Sequence, residues 1–172
     1  RAVKADEKNP TALYNLSHYY VKMKNNMKAK STLEHTINAY NNLDIVKKKD
    51  VYNQIDSYRL LGEEYIREKE YLKAQEVLTQ GISNYISAHE LSGLKGTEKI
   101  GKLYTDMGDI NYFITGDLDN ALQNYKDSIE TFYDTPQIRY KIGYIQYGKK
   151  NYSEALGSFM KSSELHADDP NL

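Results

Sequence analysis

The chain has 172 residues, a formal net charge of −1 and no cysteine. That length suits one compact domain or a short array of repeats. The balance of charge excludes a strongly basic nucleic-acid binder and an acidic disordered tail, and the missing cysteines exclude disulfides, thiolate zinc sites and cysteine nucleophiles. No apolar run approaches the roughly 18 residues of a membrane span. Tyrosine is the dominant aromatic, with 17 Tyr, 3 Phe and no Trp. The frequent Lys, Asn, Tyr and Ile point to an AT-rich, bacterial coding sequence. Helix formers prevail, and no β-hairpin signature occurs.

In chain order, Ala2–Asp6 reads as the end of a preceding helix. Pro10 suits the first turn of a helix, where a missing N–H costs nothing. Leu13, Leu16, Ser17 and Tyr20 carry that helix's stripe. Ala29, Leu33, Ile37, Tyr40 and Leu43 continue on a lengthened helix expected around 27–47, with a tight connection near Lys47–Asp50. Val51, Ile55, Tyr58, Gly62 and Tyr65 predict a long helix over 50–68. Next, Ala74, Leu78, Ile82, Tyr85 and His89 share one face, and Leu91–Gly96 breaks it. Tyr104, Met107, Gly108 and Tyr112 mark another helix, and Asp117 reads as the N-cap of a helix over 118–132. Pro136 opens the last pair, with Ile142 and Gly143 before a turn at Gly148–Asn151, and Tyr152, Ala155 and Phe159 after it. Pro170 reads as the start of a further unit.

Four units thus share one order: large apolar, small, aromatic, small, large apolar. Glycine or serine lets two helix backbones approach, and alanine does the same from the facing helix. The last two units are about 34 residues apart, and the earlier ones about 45. The surplus of about 11 residues is about three helical turns, which keeps the apolar face in phase. The third unit has one extra residue between Gly108 and Ala121.

This pattern resembles the tetratricopeptide repeat (TPR) family. The pairs Leu16-Ser17, Leu61-Gly62, Met107-Gly108 and Ile142-Gly143 match its first-helix signature, and Ala29, Ala74, Ala121 and Ala155 its second-helix alanine. Departures are the absent first-helix tryptophan, Gln146 in place of an aromatic, and Thr36, Gly81, Ser128 and Ser162 at the second small position. The resemblance implies an all-α, right-handed TPR superhelix (an α-solenoid) of about eight antiparallel helices, some lengthened. It would be a single domain over 1–172 with repeats at about 10–47, 50–91, 97–133 and 136–167, cut from a longer array. Without a polar capping helix, the edge of the last helix, with Tyr152, Leu156 and Phe159, is expected to drive self-association.

Sites of chemistry are absent from the pattern. His18, His35, His89 and His166 do not pair at ligand spacing, so each reads as a surface or groove residue and no metal is expected. No phosphate loop or nucleophile elbow occurs, so neither catalytic residues nor cofactors are expected. Asp117 and Asp119 have calcium-like spacing but lack the glycine and later glutamate of an EF-hand loop. Lys47–Lys49 reads as a solvated helix end. Tyr20, Tyr65, Tyr112, Tyr125 and Tyr152 fall on the buried register and are expected in the core.

By the resemblance, first-helix residues line a concave groove that grips a protein or peptide. The groove positions include Tyr14 and His18, then Arg59, Glu63 and Arg67, then Lys102, Asp106 and Asp109, and last Tyr140, Tyr144 and Tyr147. Their neighbours Thr11, Asn15, Asp56, Leu60, Ile66, Thr105, Gln137 and Lys141 share the same face. Where some TPR domains clamp a C-terminal carboxylate with Lys and Asn, this chain has Tyr14, His18, Leu60, Lys102 and Asp106. Only Lys102 suits that role, which disfavours a chaperone-tail receptor. The expected function is a non-catalytic scaffold or adaptor, in a bacterial envelope, secretion or motility complex. A regulatory domain of a larger enzyme or receptor and a purely architectural array are the alternatives. No nucleic acid partner and no compartment is indicated.

Overall fold

Propensity and capping set the helix boundaries. The computed structural model describes residues 9–43 and 47–167. Among them are eight α-helices: α1 Pro10–Lys22, α2 Asn26–Asn41, α3 Lys48–Arg67, α4 Tyr71–Ser92, α5 Glu98–Ile110, α6 Leu118–Glu130, α7 Pro136–Gly148 and α8 Tyr152–Ala167. No strand occurs among the described residues. Pro10 and Pro136 open their helices as expected. Asn9, Asn25, Thr97, Asp117 and Thr135 each accept a hydrogen bond from a backbone N–H of the first turn, satisfying groups that the helix leaves unpaired.

The long helices are α3 and α4, with 20 and 22 residues. The expected extension of α2 to residue 47 does not form. That helix stops at Asn41, and the Asn42 side chain donates back to the Asn38 carbonyl at 2.7 Å. Asparagine side chains compete with backbone bonding in this way and end helices. The connection expected near Lys47–Asp50 is instead the start of α3, with Lys47 at its N-cap and Asp50 in its first turn, and the expectations for Ala2–Asp6 and Pro170 fall outside the described residues.

The chain divides into two compact units, residues 1–95 and 96–172. The first holds the hairpins α1–α2 and α3–α4, with α2 packed on α3. Leu33 and Ile37 of α2 meet Tyr58, Leu60 and Leu61 of α3, with Tyr65 against them. The second holds α5–α6 and α7–α8, with α6 packed on α7. There Ala121 and Tyr125 meet Ile138, Ile142 and Ile145.

Close approach within each hairpin depends on the small residue of the first helix. A Cβ on Gly62 would come within 2.5 Å of Leu78, on Gly108 within 2.7 Å of the Tyr125 ring, and on Gly143 within 2.7 Å of the Phe159 ring. The extra residue of the third repeat is absorbed locally: Asn111–Thr115 forms a π-helical turn. A π-turn adds one residue to a helix without changing the face presented beyond it. All four hairpin turns then place one residue in the left-handed region at the same register: Lys24, Lys69, Gly116 and Lys150.

Of the tyrosines expected in the core, Tyr125 is fully buried, and Tyr20, Tyr65 and Tyr112 are half-buried. Tyr152 is not in the core; it is 59% exposed, at the start of α8. Its ring lies against Tyr147 at 5.6 Å between centroids.

Candidate functional site

First-helix residues expected to line a groove behave differently in the two units. In the first, Asp56 of α3 is fully buried and gathers its neighbours. Tyr14 donates to it at 2.6 Å, the His18 Nε2 lies 3.2 Å from the same oxygen, and the Arg59 Nε donates to its other oxygen at 2.9 Å. Arg59 also pairs with Glu63. The His18 ring packs edge-on against Tyr14 with centroids 4.6 Å apart. Tyr14, Arg59 and Leu60 are therefore buried, not open to solvent. Burial, then the bond to Asp56, raises the Tyr14 hydroxyl well above its ordinary pKa. Arg67 is exposed and reaches back to the buried Glu64 at 2.6 Å.

In the second unit the ionic contacts are fewer and the aromatic surface larger. Asp109 accepts from Tyr125 at 2.6 Å and from Lys141 at 2.5 Å, tying α5 to α6 and α7. Burial and this bond raise the Tyr125 hydroxyl too. Lys102 pairs with Glu98 within α5, and Asp106 is half-buried one turn on. On α7, Tyr140, Tyr144 and Tyr147 are each more than half exposed. Tyr140 and Tyr144 stack with centroids 6.5 Å apart and planes at 26°. The i, i+4, i+7 spacing puts all three on one face of the helix.

An open cavity of about 700 Å³ lies beside this face, between α7 and α8. Pro136, Tyr140, Lys141, Phe159, Ser163 and His166 are among its lining residues. The sequence reading missed this cavity. Its signal was the pair Ser163 and His166, standing where the first hairpin has Ile37 and Tyr40. The Asp56 hub was also missed, because a carboxylate at a groove position looks solvated until its partners converge.

Two further histidines have local roles or surroundings: the Nδ1 of His89 lies 2.8 Å from the Leu94 carbonyl beyond α4, and His166 lines the cavity. Among the described residues, no group of three His, Cys, Asp or Glu could hold a metal ion. No described helix is long and apolar enough to cross a membrane.

Residues 10–42 match the tetratricopeptide repeat family model. No curated protein sequence matches the chain. Among solved structures, one of MamA is similar over 99% of this chain and 85% of its own, at 19% identity and a TM-score of 0.69. One of apo RapI is similar over 95% of this chain at 15% identity and a TM-score of 0.71, and the chain spans 58% of its length. YrrB, whose structure is titled as a TPR protein with an unusual peptide-binding site, is similar over 95% of this chain and 72% of its own, at 20% identity and a TM-score of 0.60. At these identities the likeness shows the fold. Residues 10–42 thus match one tetratricopeptide repeat, and the chain shares the helical-hairpin fold of these structures.

Proposed function

We propose that this protein is a non-catalytic interaction scaffold that takes a segment of a partner protein along the α7 face of its second unit. The four hairpins serve as one interaction module in this reading. The observation that carries it is the row Tyr140, Tyr144 and Tyr147, exposed together and stacked in part on itself. Tyrosines give large contact area with few rotors to freeze, and are enriched where partners bind. Lys102, Asp106 and Asp109 on α5 supply charged and polar groups for the same segment. In the first unit, Tyr14, His18, Arg59 and Glu63 are engaged with one another and serve stability, with Arg67 at their edge. YrrB is described as binding peptide, and the shared fold supports the same class of ligand here.

Selection from a displayed random-peptide library tests this. Peptides recovered on the intact protein are expected to lose binding to the Tyr140→Ala/Tyr144→Ala variant while its melting temperature stays nearly unchanged. Equal binding to the variant would remove the α7 face from consideration.

A further inference from the structure

A second cavity, of about 540 Å³, lies in the first unit, where the turn between α1 and α2 meets the end of α3. Its lining is Val21, Lys22, Lys24, Asn26 and Arg67. Cations make up three of these five residues, and none is acidic. Val21 packs against the core cluster of the unit, which anchors this wall. Lys24 is held at φ 53°, and its N–H donates to the Val21 carbonyl at 3.0 Å. The turn therefore brings Lys22 and Lys24 to the cavity without further folding.

Charge at this turn differs from charge at the other lysine turns. Around Lys69, Glu68 and Glu70 take up Lys30 and Lys73. Beside Lys150, Lys149 is paired with Asp119. Lys22 and Lys24 are both exposed, and neither has a carboxylate partner among the described residues. Arg67 uses only its Nη1, which donates to the two oxygens of Glu64 at 2.6 and 2.7 Å. Glu64 is 1% exposed, so its charge is committed to Arg67 beneath the surface. The Nε and Nη2 groups of Arg67 carry no hydrogen bond among the described residues. With Glu64 set against Arg67, two positive charges remain uncompensated. A carboxylate would balance one of them. A phosphoryl group carries close to two negative charges at neutral pH and balances both. Its oxygens also suit the planar fork of an arginine beside the point charges of lysines.

We propose that this cavity binds a phosphoryl dianion, with Lys22 and Lys24 as its charge partners and the spare donors of Arg67 orienting it. Two sources share that chemistry: a phosphorylated side chain on a protein segment, and a small phosphorylated molecule. The site lies wholly within residues 21–67, so it stands or falls independently of the α7 face.

Backbone amide NMR of the intact chain tests it, with titrations of inorganic phosphate, a short phosphoserine peptide and the same peptide carrying serine. Shifts are expected at residues 21–26 and at Arg67 with the first two probes and not with the third. Phosphopeptide binding about tenfold tighter than phosphate assigns the protein source, and comparable affinities assign the small molecule. Lys22→Gln with Lys24→Gln should weaken both by about tenfold or more, as for loss of charge-assisted contacts. Lys126→Gln with Lys150→Gln removes the same charge elsewhere, and Lys150 shares the left-handed backbone of Lys24. That variant should bind as the unaltered chain does. All four side chains are exposed, so both variants should fold, and melting curves check that. Unmoved amides at residues 21–26 with both phosphate probes overturn the proposal. So does equal weakening in the two variants, which would mean diffuse attraction, or equal binding of the serine peptide.

Discussion

The two units solve the same problem with different chemistry at the same face. Each must hold its first helices side by side. The first does so with a buried carboxylate, Asp56, that engages Tyr14, His18 and Arg59. The second uses the half-buried Asp109, held by Tyr125 and Lys141, and leaves a tyrosine row uncovered. A face that spends its polar groups on itself is rigid and chemically closed. A face that spends few keeps surface for a partner. On the proposed function, stability and recognition are divided between the units of one repeated architecture.

The sharpest way to break this comparison is to remove each hub. Asp56→Ala takes its carboxylate partner from the buried Arg59, and should cost about 3 kcal/mol or more, since one side of a buried pair is lost. Asp109→Ala should cost roughly half as much, because Lys141 can turn to water. Urea denaturation measures both, and equal losses would erase the distinction between the units.

A second comparison lies inside the second unit. Gly108→Ala drives a methyl group into the Tyr125 ring, which is fully buried and anchored to Asp109. It should cost about 2–3 kcal/mol, in the range for overpacking. Gly143→Ala meets Phe159, which borders the cavity and can shift, so about 1 kcal/mol or less is expected. Thermal melts separate the two, and the reverse order would show that the cavity gives no freedom.

Alkaline titration sharpens the comparison differently. Burial, then the Glu34 bond, pushes the Tyr65 hydroxyl up to about 12, and Tyr14 and Tyr125 are raised by burial and their aspartates. A group whose pKa is higher in the folded state contributes stability below its unfolded value, lost as pH rises through the folded value. Stability should therefore fall from about pH 10 upward, near the ordinary tyrosine value. Tyrosinate absorbance, unobscured because the chain has no tryptophan, should show these hydroxyls ionising only as the helices unfold. Replacing Tyr14 with Phe should lessen the loss. The smallest effect is expected at a turn: Lys69 sits at φ 63°, and Lys69→Gly should stabilise by about 0.5 kcal/mol, since a side chain is penalised there.

Helix order, the four hairpins and the glycine contacts were legible because periodicity and small residues report packing directly. Proline and N-cap positions were legible for the same local reason. The end of α2 was not, because the stripe Leu33, Ile37, Tyr40, Leu43 continues past the point where Asn42 stops the helix. Tyr152 misled for another reason: it opens α8 three residues before Ala155, and Leu118, at the same place in α6, is exposed as well. Groove positions could be placed on first helices, whereas their exposure could not. Whether Arg59 faces solvent depends on Asp56 and Tyr14, and Tyr14 lies 42 residues from Asp56 in the chain.

The π-turn at Asn111–Thr115 carries a consequence for how such arrays change length. A one-residue gain in an α-helix rotates everything after it by about 100°. Here the gain is cancelled within five residues, and Gly116 and Asp117 begin the next helix on schedule. The slip is quarantined, so the fold tolerates a frame error that would otherwise propagate. Deleting Ile114, an exposed residue of that turn, should restore a plain α-helix and leave α6 to α8 where they stand.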